Sequence, residues 1–198
     1  MTVSASWKRI ERWLAASAPS IRKSLRPPAT DAGVEKLKAK LGLKLPAHFI
    51  DSVLVHDGQK SDAEHGLFPG EKDLLGTTPS CHLLTLTEIG SEWAMMKKLH
   101  DMGEFADSPS EPARGIRDDW WNPGWIPIAD NGGGDYYCID LAPAKTGAAG
   151  QVILFFHEKG ERPLVAKSYG AWLDQLAEGF ESGKYILDPD DGIVEARA

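Results

Sequence analysis

Little in this chain of 198 residues could serve as a staple or an anchor. It has two cysteines, Cys81 and Cys138, which do not make a disulfide framework. Cys138 falls inside a predicted strand and reads as a small core or interface residue. The longest clear apolar run is Val152 to Phe156, far short of the roughly 20 apolar residues a membrane-spanning helix needs. Met1 to Ile10 has no apolar h-region, so no signal peptide is expected. Internal repeats and low-complexity blocks are missing too. A soluble, cytoplasmic protein is the expectation.

Positive charge is also scarce, with 22 Lys and Arg against 29 Asp and Glu and a net charge of −7. The deficit is uneven. Residues 1–44 hold ten basic and three acidic side chains, whereas residues 45–198 hold twelve basic and twenty-six acidic ones. An acidic body disfavours nucleic acid and favours a basic partner through electrostatic steering, or it serves solubility alone. The apolar content of 42% and seven tryptophans argue for a packed globule. The length suits one domain with a sizeable core. A single domain over 1–198 is expected, with its core over about 5–180 and a tail at 181–198 that frays beyond Tyr185.

The apolar pattern places helices first. Trp7, Ile10 and Leu14 mark one face of a helix over 6–17. Residues 19–28 read as a connector, because Pro27-Pro28 prevents continuous helix. Thr30 caps a second helix with Val34, Leu37 and Leu41 inward and Gly42 as its stop. Pro46 opens a third with Phe49, Val53 and Leu54 inward. Residues 59–80 are irregular. A short strand at 82–86 and a helix over 87–100 follow, then a long loop at 101–119. Strands are predicted at 125–129, 136–141, 151–157 and 163–167, joined by short antiparallel connections. Ser168 caps a last helix with Trp172, Leu176 and Phe180 inward. Helices, then strands, then a helix, without βαβ repetition, predict an α+β fold. Its central sheet is mainly antiparallel, of about four to six strands, with helices packed around it.

The segment W-I-P-I-A-D-N-G-G-G-D-Y-Y-C-I-D-L-A-P at 125–143 is the most informative. Its glycines do not match a phosphate loop, which needs G-K-[ST] or G-x-G-x-x-G before a helix. Here Asp135 and a strand follow, so Gly132 to Gly134 are read as supplying positive φ to a hairpin. Asp130, Asn131 and Asp135 do not have EF-hand spacing, and the six histidines form no zinc pair, so no metal is assigned. No G-x-S-x-G elbow is present, and neither cysteine opens a helix. A His157 or His56 pairing with Asp57, Asp135 or Glu158 is the remaining acid–base option. His157 is read instead as a strand-end side chain bonded to loop backbone. No enzyme and no cofactor are inferred. Trp120, Trp121, Trp125, Tyr136 and Tyr137 lie near the acidic turn without the cationic groove that nucleic acid requires. Tryptophan and tyrosine beside carboxylates suit a protein interface, or core packing.

These motifs resemble the SUKH superfamily, which includes fungal cell-wall assembly regulators of the Smi/Knr type and bacterial toxin-immunity proteins. L-G-L-K-L-P-A-H-F at 41–49 is similar to its L-G-x-x-L-P-x-x-[FY] opening, and 125–140 to its [WF]-x-P-[IF] … G-[GD]-x-[FYL]-x-[IL]-D core. P-P-A-T-D-A-G-V-E-K-L-K-A-K at 27–40 and S-Y-G-A-W-L at 168–173 resemble its first helix and closing segment. The chain departs from the pattern at Ala142 and Glu158, where many members carry Asp. The resemblance implies an α+β fold without known catalysis. The first expectation is an immunity protein that neutralises a delivered toxin, such as a nuclease, by direct binding. The second is a regulatory or scaffold protein of the cell-wall type. The expected contact surface is Asp57, Glu64, Asp130, Asp135 and Asp140, with Trp120 and Trp121 as anchors.

Overall fold

The computed structural model describes residues 2–70, 72–73, 76–77 and 80–196. Part of the stretch expected to be irregular at 59–80, and the last two residues of the tail, lie outside that set. The N-terminal third is helical: α1 (Val3–Ser17), α2 (Pro19–Ser24), α3 (Asp31–Leu41) and α4 (Ala47–Val53). Then come the short strands β1 (Lys72–Asp73), β2 (Gly76–Thr77) and β3 (His82–Leu83), followed by α5 (Leu86–Asp101) and β4 (Glu111–Pro112). The sheet strands β5 (Trp125–Asp130), β6 (Tyr136–Asp140) and β7 (Gln151–Phe155) are next, with β8 (Glu161–Arg162) and β9 (Leu164–Ala166). Helix α6 (Tyr169–Ser182) and the hairpin β10 (Tyr185–Asp188) and β11 (Gly192–Glu195) complete the order.

The central sheet has five antiparallel strands in the order β3-β5-β6-β7-β9, so the expected α+β architecture is the observed one. Every residue of β6 and β7 is buried, as a sheet covered on both faces requires. On one face Tyr136 Oη donates to Glu92 of α5 at 2.9 Å. On the other, Tyr137 packs on Trp172 of α6, which stacks on Phe68 at 4.0 Å. Helix α1 lies outside α6, tied by Arg9 to Asp174 (2.7 Å) and Glu181. The indole of Trp7 donates to Ser52 Oγ (2.8 Å), which pairs with Tyr169 Oη (2.9 Å), so α1, α4 and α6 share one buried polar knot.

The caps read from sequence are in place. Thr30 accepts from Gly33 N, Gly42 ends α3 in the left-handed region at φ 65°, and Ser168 accepts from Ala171 N. Four readings are corrected. Residues 19–24 form α2, because Pro19 is tolerated at a first helical position; the prolines at 27–28 act only beyond it. Leu54 is exposed, since α4 stops at Val53. Leu86 opens α5 instead of closing a strand, because Thr85 and Glu88 form a reciprocal capping box. The tail is an ordered hairpin: Ile193 is fully buried, its carbonyl accepts from Gly70 N, and Asp191 O accepts from Ser80 N.

One segment joins the helical third to the sheet. Gln59 is buried, and its side-chain oxygen accepts from Leu67 N (2.9 Å) and Leu83 N (3.0 Å). Its amide nitrogen donates to Ser24 Oγ (2.8 Å) and His65 O (3.2 Å). All four side-chain hydrogen bonds an amide can make are therefore used. Replacing Gln59 by Leu orphans two buried backbone N–H groups. We expect a loss of about 3 kcal/mol in unfolding free energy, read from urea denaturation, with the far-UV spectrum retained.

Candidate protein-binding site

Strand β5 would alternate regularly but for one extra residue. Pro127 pairs with Cys138 and Ala129 with Tyr137, so Ile128 is inserted as a β-bulge. Proline has no N–H to give a ladder, and β3 reaches only Ala129 and Asp130, which leaves Pro127 beyond its edge. The insertion shifts the side-chain phase. Asp130 then pairs with Tyr136 and falls on the α5 side of the sheet, not on the face of Ile126 and Ala129.

The turn after Asp130 is held by two side chains. Asn131 Oδ1 accepts from Gly133 N (2.8 Å) and Asp135 N (3.2 Å), and its Nδ2 donates to Asp135 Oδ2 at 2.9 Å. Gly132 (φ 72°) and Gly134 (φ 97°) take the left-handed conformation that glycine tolerates, but Gly133 does not. Asp135 Oδ1 accepts from both the backbone N (3.0 Å) and Nδ1 (2.9 Å) of His157. His157 is therefore bonded to a carboxylate, which corrects its reading as a partner of loop backbone. A Cβ at Gly134 would stand 3.1 Å from the His157 ring, so this close approach also depends on glycine.

Asp130 opens onto a cleft of about 320 Å³ between the turn, the start of α5 and residues 59–61. Glu88, Glu92, His82 and Lys60 share its walls. Glu88 is occupied by the cap, accepting from Thr85 N (2.8 Å) and Thr85 Oγ1 (2.7 Å), and Glu92 accepts from Tyr136. His82 Nε2–H donates to Ala63 O at 3.0 Å. Burial raises the Asp130 carboxyl above its ordinary range; Glu92 and Glu88 raise it further, against His82 and the Gly132 N–H. Burial likewise raises the Tyr136 hydroxyl, reinforced by its bond to Glu92. Among the described residues no group of three His, Cys, Asp or Glu is placed to hold a metal, and no helix is long and apolar enough to cross a membrane.

The seven residues expected to form one surface are divided. Asp130 and Asp135 come together at the turn, and Glu64 is exposed on the loop next to the residue that His82 holds. Asp57 lies elsewhere, in a groove between α3 and α5, where its Oδ1 accepts from Leu86 N at 2.8 Å. Asp140 is corrected to an interior group: it is 0% exposed, with Oδ1 accepting from Ala142 N (2.9 Å) and Oδ2 from Gln151 Nε2 (2.8 Å). Burial raises its carboxyl, opposed chiefly by those hydrogen bonds. Trp121 is corrected likewise, being 2% exposed, while Trp120 is half-buried. Glu88, Glu92 and His82 were missed, although Glu88 and Glu92 stand at i and i+4 of a predicted helix and so share a face.

A five-stranded antiparallel sheet between helices, with the L-P, W-I-P-I and closing-helix motifs in order along it, defines a domain of the SUKH class. Comparison with known proteins is more specific. The chain belongs to the SMI1 / KNR4 family (SUKH-1), whose profile matches residues 28–175. It is 32% identical to the cell wall biosynthesis/cell cycle regulator smi1 of Schizosaccharomyces pombe, over 97% of this chain and 39% of that protein. It is 27% identical to the glucan synthesis regulatory protein of Neurospora crassa, over 98% of this chain and 41% of that protein. Identity to the cell wall assembly regulator SMI1 of Saccharomyces cerevisiae is 24%, over 94% of this chain and 42% of that protein. The chain thus spans about two fifths of the length of these curated relatives.

The raised carboxyl of Asp130 sets a pH-dependent expectation. A folded-state pKa above the unfolded one favours the protonated form, so ionised Asp130 costs stability at neutral pH. Asp130→Asn should raise the urea midpoint at neutral pH. That gain should vanish as pH falls through the folded-state pKa of Asp130 towards its ordinary value of 3.8. An equal gain at both ends of a pH series of denaturation curves would contradict this.

Proposed function

We propose that this chain is a non-catalytic protein-binding domain with a regulatory role of the cell-wall-regulator kind, acting in the cytoplasm. The observation that carries this reading is its alignment over 94–98% of its length with fungal proteins named as regulators of the cell wall or of glucan synthesis. The site supports it physically. The acidic cleft at Asp130 offers a focused negative potential to a basic protein, and such fields speed association and select partners. Within the expected surface, Asp130 and Glu64 are the contact residues we retain. Asp135 and Asp57 are braces whose carboxylates are already engaged with backbone donors.

A second reading, neutralisation of a delivered toxin such as a nuclease, rests on the same acidic surface. A cleft of this charge could occupy the substrate site of a basic toxin. The names of the relatives favour regulation, so toxin neutralisation ranks second.

A chimera tests the first reading. The matching segment of the fission yeast regulator is replaced by this chain in cells that lack that regulator, and growth under cell-wall stress is measured. We expect the chimera to restore growth, and the chimera carrying Asp130→Lys with Glu64→Lys to restore it several-fold less well at equal protein level. A folded, expressed chimera that restores nothing would count against the regulatory role. Full rescue by the double variant would remove the cleft from the account.

A further inference from the structure

At the far end of α5 from the acidic cleft lies a second cavity, of about 320 Å³. Four rings contribute to its wall: His100, Phe105, Trp120 and Trp121. The imidazole of His100 meets Trp121 edge-on, with centroids 5.8 Å apart at 63°, and Phe105 lies 6.5 Å from the same indole. Trp121 closes the floor with its ring; its buried indole N–H has no acceptor among the described residues and, as a donor, takes no part in holding a cation. Asp118 and Asp119 supply the charge. Asp118 Oδ1 accepts from Ser110 Oγ and Asp119 Oδ2 from Asn122 Nδ2, each at 2.7 Å. Each is thereby held in place by one oxygen, with the other left for a ligand. No Lys or Arg lines the cavity.

We infer that this cavity receives an arginine side chain presented by a protein partner. Aromatic faces attract a cation through their quadrupole, and two carboxylates at one mouth complement a guanidinium. The protein already uses this chemistry internally: the guanidinium of Arg162 lies 4.8 Å from the Trp120 ring and 4.4 Å from that of Phe155. Arg162 does not fill the cavity, because it is fully buried and its N–H groups donate to Trp120 O, Lys159 O and Glu161 O. The sequence suggested that Trp120 and Trp121 project into a partner, but their placement makes them the walls of a receptor. This inference rests on the protein-binding reading, and it names a different surface and the chemistry of one contact.

The probe is a short blocked Gly-Ser peptide with one central arginine, and its twin has neutral citrulline in that place. Indole N–H signals are followed by NMR on the whole chain, with Trp120→Phe and Trp121→Phe used for assignment. We expect saturable shifts of the Trp120 and Trp121 signals with the arginine peptide only. Trp120→Ala should weaken binding about tenfold. Asp118→Asn, at an exposed position that does not threaten folding, should weaken it about threefold. Equal binding of the citrulline twin, unmoved Trp120 and Trp121 signals, or tighter binding of choline than of the arginine peptide would each overturn the proposal. The titration is independent of the chimera, so a failed pocket with a rescuing chimera removes the pocket alone.

Discussion

The short segment His56-Asp57-Gly58-Gln59 has nowhere to go but between the helices and the sheet, and its polar groups must all find partners there. His56 spans from the Arg26 carbonyl (2.8 Å) to Glu11 (2.6 Å), and Asp57 accepts from the first N–H of α5. Gly58 has φ 77°, and a Cβ there would stand 2.5 Å from Thr85 N, so no other residue fits without moving backbone. Gln59 joins α2, the loop to Leu67 and β3 by one amide. Four consecutive residues thus fix how the helical third, α5 and the sheet edge meet. A low local dielectric makes such a network strong when satisfied and costly when broken at one point.

The sheet interior solves a related problem. Asp140 and Arg162 are both buried, yet they are not each other's partner. Asp140 is met by an amide and a backbone N–H, Arg162 by three carbonyls and two aromatic faces. Burial pushes the Arg162 guanidinium down to about 10, which still leaves it charged at neutral pH. The arginine fixes Trp120 to the 159–161 turn, and Gln151 fixes Asp140 to the Gly115 loop. The long loop between α5 and β5 is thereby pinned at two places along one face of the sheet.

Much of this was legible in the sequence, because local signals and tertiary packing agree. Thr30, Gly42 and Ser168 announce helix ends by side-chain chemistry that needs no tertiary information. The order of apolar runs in β5 to β7 gives an antiparallel meander. What was not legible depends on distant partners. Nothing near Ile193 shows that it will be buried, since the groups its hairpin bonds to, Gly70 and Ser80, lie far away along the chain. Asp140 looks like any acidic residue at a strand end, and its burial follows from Gln151 across the ladder. The candidate site was half readable. The acidic turn was evident, but the carboxylates from α5 that complete it are reached only through the tertiary fold. Trp120 and Trp121 were found as a pair, and their role as wall instead of knob depends on where the 101–119 segment folds.

The bulge at Ile128 makes the length of this strand adjustable in a way that a substitution table would miss. With the extra residue, Ala129 stands opposite Tyr137 and Asp130 opposite Tyr136, so position 130 looks towards α5 and the cleft. Without it, Pro127 and Ala129 would be neighbours opposite Cys138 and Tyr137, and the carboxylate would keep the same partner and the same side. In this fold, then, a one-residue deletion between 125 and 130 is absorbed by closing the bulge, and the charge never enters the dry layer beneath α6, where it could not be sustained unpaired. Divergence among such domains can therefore shorten this strand by one residue and leave the acidic mouth in place.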